Sequence, residues 1–253
     1  MLIDEIDDDR ADIFVHIDCK TPFDGSDLTA SKSRLTVLTH QIDGRWGDYS
    51  LVEIEFALLR AATDNGPYAY YHLLSGVDMM ISPVSEIIEQ CKREPQTEYI
   101  AIGDAESHRG IEKRCHRRWL FPRHMLSRNP LIKLSRRAWS LAQGAIGYRR
   151  YPGKVVKGSQ WWSITDNFAH YALSRQDEMR HYFTATFAPD EMVFQTLCMN
   201  SRFATQLHCT DDEFEGSKRY IKWVDGQLMP LTADDLHDAQ TKGRWFARKR
   251  PTL

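Results

Sequence analysis

The stretch that most constrains the fold is Lys157–Leu173, KGSQWWSITDNFAHYAL. Its first half contains SQWWSI, an aromatic and β-branched run typical of a buried strand. Thr165 follows, and threonine is a preferred N-cap because its hydroxyl accepts a hydrogen bond from a free N–H of the first helical turn. TDNFAHYALSR is therefore predicted to be a helix, and the stretch as a whole a strand that leads directly into a helix.

Strands and helices alternate in the N-terminal half as well. Strands are predicted for ADIFVHID (Ala11–Asp18), RLTVLTH (Arg34–His40), YAYYHLLSG (Tyr68–Gly76) and TEYIAIG (Thr97–Gly103). Helices are predicted for SLVEIEFALLRAATDNG, with Ser50 and Glu53 as a capping box, and for SPVSEIIEQCKR, with Pro83 in its first turn. This alternation predicts an α/β fold in a single domain, residues 1–253, with a mostly parallel central sheet and helices on both faces.

The C-terminal half continues the pattern after an interruption. The segment from Asp104 to Lys157 is basic, has weak strand signals and contains the helical pattern LIKLSRRAWSLAQGAIG, so we expect an insert or lid there. Beyond it, PDEMVFQTLCMN and TADDLHDAQ predict helices, and KRYIKWVDG predicts a strand.

Composition narrows the possible functions. Lys and Arg number 33 and Asp and Glu number 35, so the net charge of −2 gives no overall basic field for nucleic acid, despite the local runs KRCHRR and RWFARKR. Five cysteines without a CxxC spacing predict reduced thiols in the cytoplasm and no structural zinc.

No apolar run reaches the roughly 18 residues of a membrane span, and the acidic start MLIDEIDDDR is not typical of a signal peptide. The basic segments are compatible with peripheral contact at the inner face of a membrane. Composition does not address the oligomeric state.

Two carboxylates, Asp190 and Glu191, follow Pro189 at a predicted helix start. Acidic residues are common there because they complement the helix dipole, so a structural role is one interpretation. The other is catalytic: a carboxylate kept ionised at a helix N-terminus can accept a proton from a substrate hydroxyl. Just upstream, Trp161 and Trp162 face opposite sides of their strand, so at most one of them forms an apolar platform for a sugar.

Cations near the C-terminus suggest an anionic ligand. Arg248 and Lys249 of FARKR can neutralise a diphosphate leaving group, and a solvated basic tail is the alternative. No P-loop, GxGxxG, GxSxG or HExxH occurs. The Asp-x-Asp by which many glycosyltransferases hold a metal occurs only at Asp7–Asp9, ahead of the first strand, and the loop after YYHLLSG has the single Asp78.

Seven stretches in order resemble those of the Core-2/I-branching glycosyltransferases, which include the protein xylosyltransferases: FVHIDCK, RWGDYSLVEIEFALL, YYHLLSGVDMMIS, KGSQWWSITDNFAHYAL, PDEMVFQTL, RYIKW and FARK. Together they cover most of the chain from about Ile13 to Lys249. The resemblance implies a GT-A type nucleotide-sugar-binding fold, an inverting mechanism, a UDP-sugar donor and no required metal or other cofactor. The absence of a well-placed Asp-x-Asp agrees with the last point.

The resemblance also implies roles for individual residues. It implies that Glu191 is the catalytic base and that Arg248 and Lys249 bind the diphosphate. On the donor side, it implies that Asp18 contacts uridine and that Trp46 and Asp78 line the pocket. On the acceptor side, it implies that Trp223 is an aromatic contact, beside which Trp161 would add a platform.

The sequence departs from the family pattern in two ways. Arg250 stands where members usually have Phe, and only about a dozen residues precede the HID strand, where the family has a strand and a helix. We therefore expect a truncated start and an empty or otherwise filled position beside Ile13–Ile17.

The leading functional prediction is transfer of N-acetylglucosamine (GlcNAc) from UDP-GlcNAc to a hydroxyl of a glycan acceptor. UDP-xylose or UDP-glucose as donor, as in an O-xylosyltransferase, is an alternative because no residue of the sequence identifies the sugar. A catalytically inactive carbohydrate-binding protein is the alternative from another class, and a nucleic-acid binder is the weakest.

Overall fold

The computed structural model describes residues 2–104, 111, 115–121, 127–148, 151–225 and 227–250, which form a mixed α/β structure. The helices are α1 Leu2–Ile6, α2 Ser50–Thr63, α3 Val84–Arg93, α4 Pro130–Ala145, α5 Asp166–Ser174, α6 Gln176–Phe183, α7 Val193–Met199, α8 Glu213–Ser217 and α9 Ala233–Thr241. The strands are β1 Ile13–Val15, β2 Leu35–Val37, β3 Tyr70–His72, β4 Met79–Met80, β5 Tyr99–Ile100, β6 Trp162–Thr165, β7 Arg219–Ile221, β8 Trp223–Val224, β9 Gln227–Leu228 and β10 Phe246–Arg248. None of the described helices is long and apolar enough to cross a membrane.

The strands within these ranges form four small sheets and not the single, mostly parallel sheet that the sequence predicts. β1 pairs with β2 in parallel, and β10 lies between an antiparallel β4 and a parallel β7. β6 runs antiparallel to both of its neighbours, β3 and β5, and β8 and β9 form an antiparallel hairpin. Alternating strands and helices impose parallel order only where each connection crosses back over the sheet. β6 follows the long Asp104–Lys157 segment and joins its sheet in the direction opposite to that of β3 and β5.

A buried arginine joins the two three-stranded sheets. Arg219, on β7, donates from its guanidinium to the carbonyl oxygens of Leu73 (3.1 Å) and Trp162 (2.9 Å) beside the other sheet. The same guanidinium lies 4.9 Å from the ring centroid of Phe246 on β10. Burial lowers the pKa of Arg219 to about 9, with Asp78 acting in the opposite direction.

The described strand β1 has a partner on one side only. β1 pairs with β2, β3 pairs with β6, and both β1 and β3 border a cavity of about 750 Å³. Its walls are mostly apolar and include Phe14, Leu59, Tyr71 and Ile87. β1 is shorter than the predicted Ile13–Ile17, and it belongs to a two-stranded sheet.

The helix-start predictions have different outcomes. The Thr165 hydroxyl accepts from Phe168 N at the start of α5, which confirms that cap. The capping box at Ser50 is wrong, because α2 has no side-chain cap. The Ser50 hydroxyl accepts from Arg45 N (2.9 Å), and Glu53 pairs with Arg180 of α6. The predicted box is thus replaced by a contact of Ser50 with Arg45, five residues earlier, and by an ion pair of Glu53 with another helix.

Candidate functional site

Glu191 lies at the end of a separate 3₁₀ turn, Pro189–Glu191, and α7 begins only at Val193. The single helix predicted for PDEMVFQTLCMN is therefore wrong at its start. The reason is that Met192, which lies between the turn and α7, has a φ of −139°, and this is not helical. The side chain of Glu191 is one-third exposed, and its Oε2 lies 3.4 Å from Lys157 Nζ. The turn thus presents a partly solvated carboxylate opposite a lysine.

Asp190 lies on the inner side of the same turn. It is 4 % exposed. Its charge acts on Glu55 of α2, whose pKa is raised well above the ordinary value by burial and then by Asp190. Of the two adjacent carboxylates, only Glu191 is accessible to a substrate.

The segment Lys157–Trp161 connects the Glu191 turn to the C-terminal cations. Gly158 N donates to the carbonyl oxygen of Glu191 (2.9 Å), and Gln195 Nε2 donates to the carbonyl oxygen of Ser159 (2.5 Å). A Cβ on Gly158 would lie 1.8 Å from the Ala101 carbonyl oxygen, so only glycine fits there. The segment is therefore held between β5 and the Glu191 turn.

At the far end of this segment, the Arg248 guanidinium lies 4.5 Å from the ring centroid of Trp161. Arg248 Nη1 also contacts Asp78 Oδ1 (3.0 Å) and Ser75 Oγ (2.7 Å). Trp162 faces the other way and stacks on Phe194 with ring centroids 4.8 Å apart, so the two indoles lie on opposite sides of the strand, as predicted. Trp161 is thus a platform for an arginine, and that arginine is fixed in place.

Asp78 serves as the counter-ion of Arg248. It is 4 % exposed, and burial raises its pKa while Arg248 acts in the opposite direction. Within the described part of the chain, no ion pair involves Lys249, whose carbonyl oxygen accepts from Leu231 N (3.1 Å). Because Asp78 already balances the charge of Arg248, Lys249 supplies the excess positive charge at this end of β10.

Two exposed tryptophans flank these elements. Trp223, 59 % exposed, follows β7, which pairs with β10 up to Ile221 and Arg248. Trp46, 62 % exposed, has an edge contact with Phe187 at 5.3 Å between ring centroids. Gly47 next to it has a φ of 75°, and its carbonyl oxygen accepts from the N–H of Ala188, the residue before the 3₁₀ turn. Trp223 therefore lies at the cationic end of the site and Trp46 at the Glu191 end.

Asp18 takes part in a separate charged network after β1. Lys20 Nζ lies 2.8 Å from Asp18 and 2.6 Å from Asp43, and Gly44 N donates to Asp18 Oδ2 (3.0 Å). Asp18, Cys19 and Asp43 are the one group among the described residues with ligand atoms close enough to hold a metal, and the Lys20 ammonium already contacts both carboxylates. Gly44, which binds Asp18, is followed by Trp46 and Gly47, and the Gly47 carbonyl oxygen accepts from Ala188 N before the Glu191 turn. Asp18 is thus connected to the Glu191 turn through this loop.

The literal Asp-x-Asp near the N-terminus has local structural partners. The carboxylate of Asp7 accepts from the backbone N–H groups of Ser31, Lys32 and Ser33, and these hydrogen bonds lower its pKa to about 2. Asp8, between the two, binds Arg10 (2.7 Å). These contacts fix the N-terminal loop.

Sequence reasoning missed two residues of the site. One is Lys157, the partner of Glu191. The other is Glu213, the first residue of α8, whose pKa is raised, mainly by burial. The charges of Glu191 and Asp104 also raise this pKa, whereas Lys157 and a backbone hydrogen bond from Ser159 act in the opposite direction. Lys157 lies within the quoted KGSQWW stretch, but no spacing in the sequence relates Glu213 to Glu191.

Comparison with known proteins supports one assignment. The sequence model of the Core-2/I-Branching enzyme family matches residues 9–243. This range includes every predicted site residue except Arg248 and Lys249. No curated protein matches the chain. Because the match spans most of the sequence, the chain belongs to the Core-2/I-branching enzyme family, a family of glycosyltransferases.

Proposed function

We propose that the protein is an inverting glycosyltransferase with a GT-A type fold that transfers a sugar, GlcNAc in the leading version, from a UDP-sugar to a hydroxyl of a glycan acceptor. One observation carries the proposal. A partly exposed carboxylate, Glu191, and a cationic pair, Arg248 and Lys249, lie at the two ends of one fixed segment, Lys157–Trp161. Family membership supports the reaction class.

In the proposed reaction, Glu191 accepts the proton of the acceptor hydroxyl while that oxygen forms a bond to the anomeric carbon of the donor sugar. The bond from the anomeric carbon to the diphosphate oxygen breaks, and UDP leaves with the bonding electron pair. A single displacement of this kind inverts the anomeric centre. Arg248 and Lys249 stabilise the charge that develops on the departing diphosphate.

The arrangement of charges supports a reaction without a bound metal. Arg248 is held by Asp78 and Trp161 before any ligand arrives, so little reorganisation is required of it. Lys249 adds the charge that Asp78 does not balance. Asp18, the predicted uridine contact, and Asp43 already share the ammonium of Lys20.

The test is a comparison of wild type with Glu191→Gln, using UDP-GlcNAc, UDP-xylose and UDP-glucose against a panel of glycan acceptors. Gln keeps the size and hydrogen bonding of Glu191 and removes the base. We expect turnover to fall by roughly 10²-fold or more with UDP affinity nearly unchanged. The matched control is Glu53→Gln, which removes another carboxylate that is about one-third exposed and is paired with Arg180. Near-normal turnover in Glu191→Gln would exclude the catalytic assignment. A wild-type protein that binds a glycan but neither binds UDP nor transfers sugar from any donor would favour the inactive carbohydrate-binding alternative.

A further inference from the structure

Helix α4 is packed in the reverse of the usual orientation. Surface helices ordinarily bury their apolar stripe and expose the polar one. Here the buried positions are Arg136, Ser140 and Gln143, spaced by four and three residues along one face. The opposite face, called the outer face, consists of Leu131, Leu134, Ala138, Leu141 and Ala145, all of them exposed. Leu131 is 73 % exposed and both Leu134 and Leu141 are 65 % exposed, so the helix directs its leucines into solvent.

Hydrogen bonds fix this orientation. Gln143 Nε2 donates to the carbonyl oxygen of Arg118 (3.0 Å), and Arg118 N donates to Gln143 Oε1 (2.8 Å). The Trp139 indole N–H donates to the same carbonyl oxygen (2.7 Å), and Arg117 donates to the Ser140 hydroxyl. The outer face cannot turn inward without breaking these hydrogen bonds, so its exposure is a built feature of the fold.

The sequence on either side of α4 carries charge of a single sign. From Lys113 to Thr165 the sequence contains thirteen Lys and Arg and no Asp or Glu, in a chain whose net charge is −2. On α4 itself, Lys133 and Arg137 are exposed on one flank of the leucine stripe. Exposed leucines bordered by cations complement an anionic lipid surface, where the leucines enter the acyl boundary and the cations meet phosphate headgroups.

We propose that the outer face of α4 is a membrane-contact surface that lies in the plane of an anionic phospholipid bilayer. A helix of this length extends about 24 Å along that plane. The assignment is independent of the sugar-transfer proposal, because it depends only on the face opposite Arg136, Ser140 and Gln143.

The experiment is co-sedimentation of the full chain with vesicles of phosphatidylcholine alone, and with vesicles containing about one-third phosphatidylglycerol, at low and high salt. Leu134→Ser/Leu141→Ser removes the apolar contribution without a change of charge, and Lys133→Gln/Arg137→Gln removes two cations. Lys92→Gln/Lys242→Gln is the matched control, because it removes two exposed cations far from α4 in sequence. Thermal melting of each variant checks that it is folded.

We expect wild type to bind the anionic vesicles in a salt-sensitive way and to bind phosphatidylcholine weakly. Leu134→Ser/Leu141→Ser should reduce binding more than tenfold, Lys133→Gln/Arg137→Gln should weaken it and flatten its salt dependence, and the control should bind like wild type. The proposal is wrong if wild type does not bind, or if the serine variant binds equally well. It is also wrong if light scattering finds a dimer that the serine variant abolishes and vesicles do not compete with, since the face then contacts a second copy.

Discussion

Gly158 lies against Ala101 so closely that a Cβ would stand 1.8 Å from the Ala101 carbonyl oxygen. No side-chain rotation relieves such a contact, because both groups belong to the backbone. The same glycine donates its N–H to Glu191, so a shift of this residue moves the segment that carries both Lys157 and Trp161.

Gly158→Ala is therefore expected to lower stability by about 1–3 kcal/mol, the usual cost of overpacking, and transfer activity at least tenfold. Urea unfolding and steady-state kinetics measure the two effects. The control is Gly76→Ala, because a Cβ at Gly76 meets nothing within 4 Å, and its free energy of unfolding should stay within about 1 kcal/mol of wild type. Equal behaviour of the two variants would mean that the backbone adapts and that Gly158 has no special role.

Lys249→Ala is expected to weaken UDP binding by about tenfold, roughly 1.4 kcal/mol, because Asp78 leaves no excess positive charge on Arg248. Isothermal titration with UDP gives the affinity. Lys242→Ala is a suitable control, since Lys242 is exposed and pairs with Asp238 on α9.

The same cationic pair predicts that transfer activity survives EDTA. The measurement is the rate of product formation with and without the chelator. Loss of activity that manganese restores would refute a metal-independent mechanism and leave the cations in a secondary role.

Local signals predicted best those features whose partners are near in sequence. The cap at Thr165 involves Phe168, three residues away, and was predicted correctly. Ser50 and Glu53 have an equally good local pattern. However, Ser50 accepts from Arg45, five residues earlier, and Glu53 pairs with Arg180 on another helix, and the capping-box pattern includes neither of these partners. β10 was missed because its three residues lie within a basic run that suggested a solvated tail. The cluster of Glu191, Lys157 and Glu213 forms only when three distant segments pack together, so the sequence indicates its first member alone.

Arg219→Met is expected to destabilise the fold by about 2–4 kcal/mol, since the buried carbonyl oxygen of Leu73 loses the Arg219 donor and that of Trp162 keeps only the Leu73 N–H. Met fills much of the same volume, so the loss reports mainly the hydrogen bonds. Arg202→Met is the comparison, because Arg202 also stacks on an aromatic ring, that of Phe203 at 5.0 Å, but is exposed. We expect it to cost less than about 1 kcal/mol. Similar losses in both variants would show that Arg219 does not join the two sheets energetically.

The last prediction concerns pH and the buried Glu98. Its carboxylate accepts from Thr165 N (2.9 Å) and Thr165 Oγ1 (2.5 Å), and it has no solvent exposure. Burial raises the pKa of Glu98 from 4.5 to about 7, against the opposing effect of the Thr165 hydrogen bonds. The folded state therefore binds one proton more than the unfolded state between about pH 4.5 and about pH 7. The stabilisation from this proton is complete below about pH 4.5 and is lost as pH rises through about 7, and its size is roughly 3 kcal/mol.

Glu98→Gln keeps an acceptor for Thr165 and removes the titration. Urea unfolding from about pH 5 to about pH 8 should show wild type losing stability relative to the variant as pH rises, and the difference between the two curves isolates Glu98 from other titrating groups. Glu86→Gln, at an exposed position on α3, should run parallel to wild type throughout. A wild-type curve parallel to that of Glu98→Gln would contradict the prediction, because Glu98 would then have the same pKa in the folded and unfolded states. The hydrogen bonds from Thr165 would in that case fully offset the effect of burial on the pKa of Glu98.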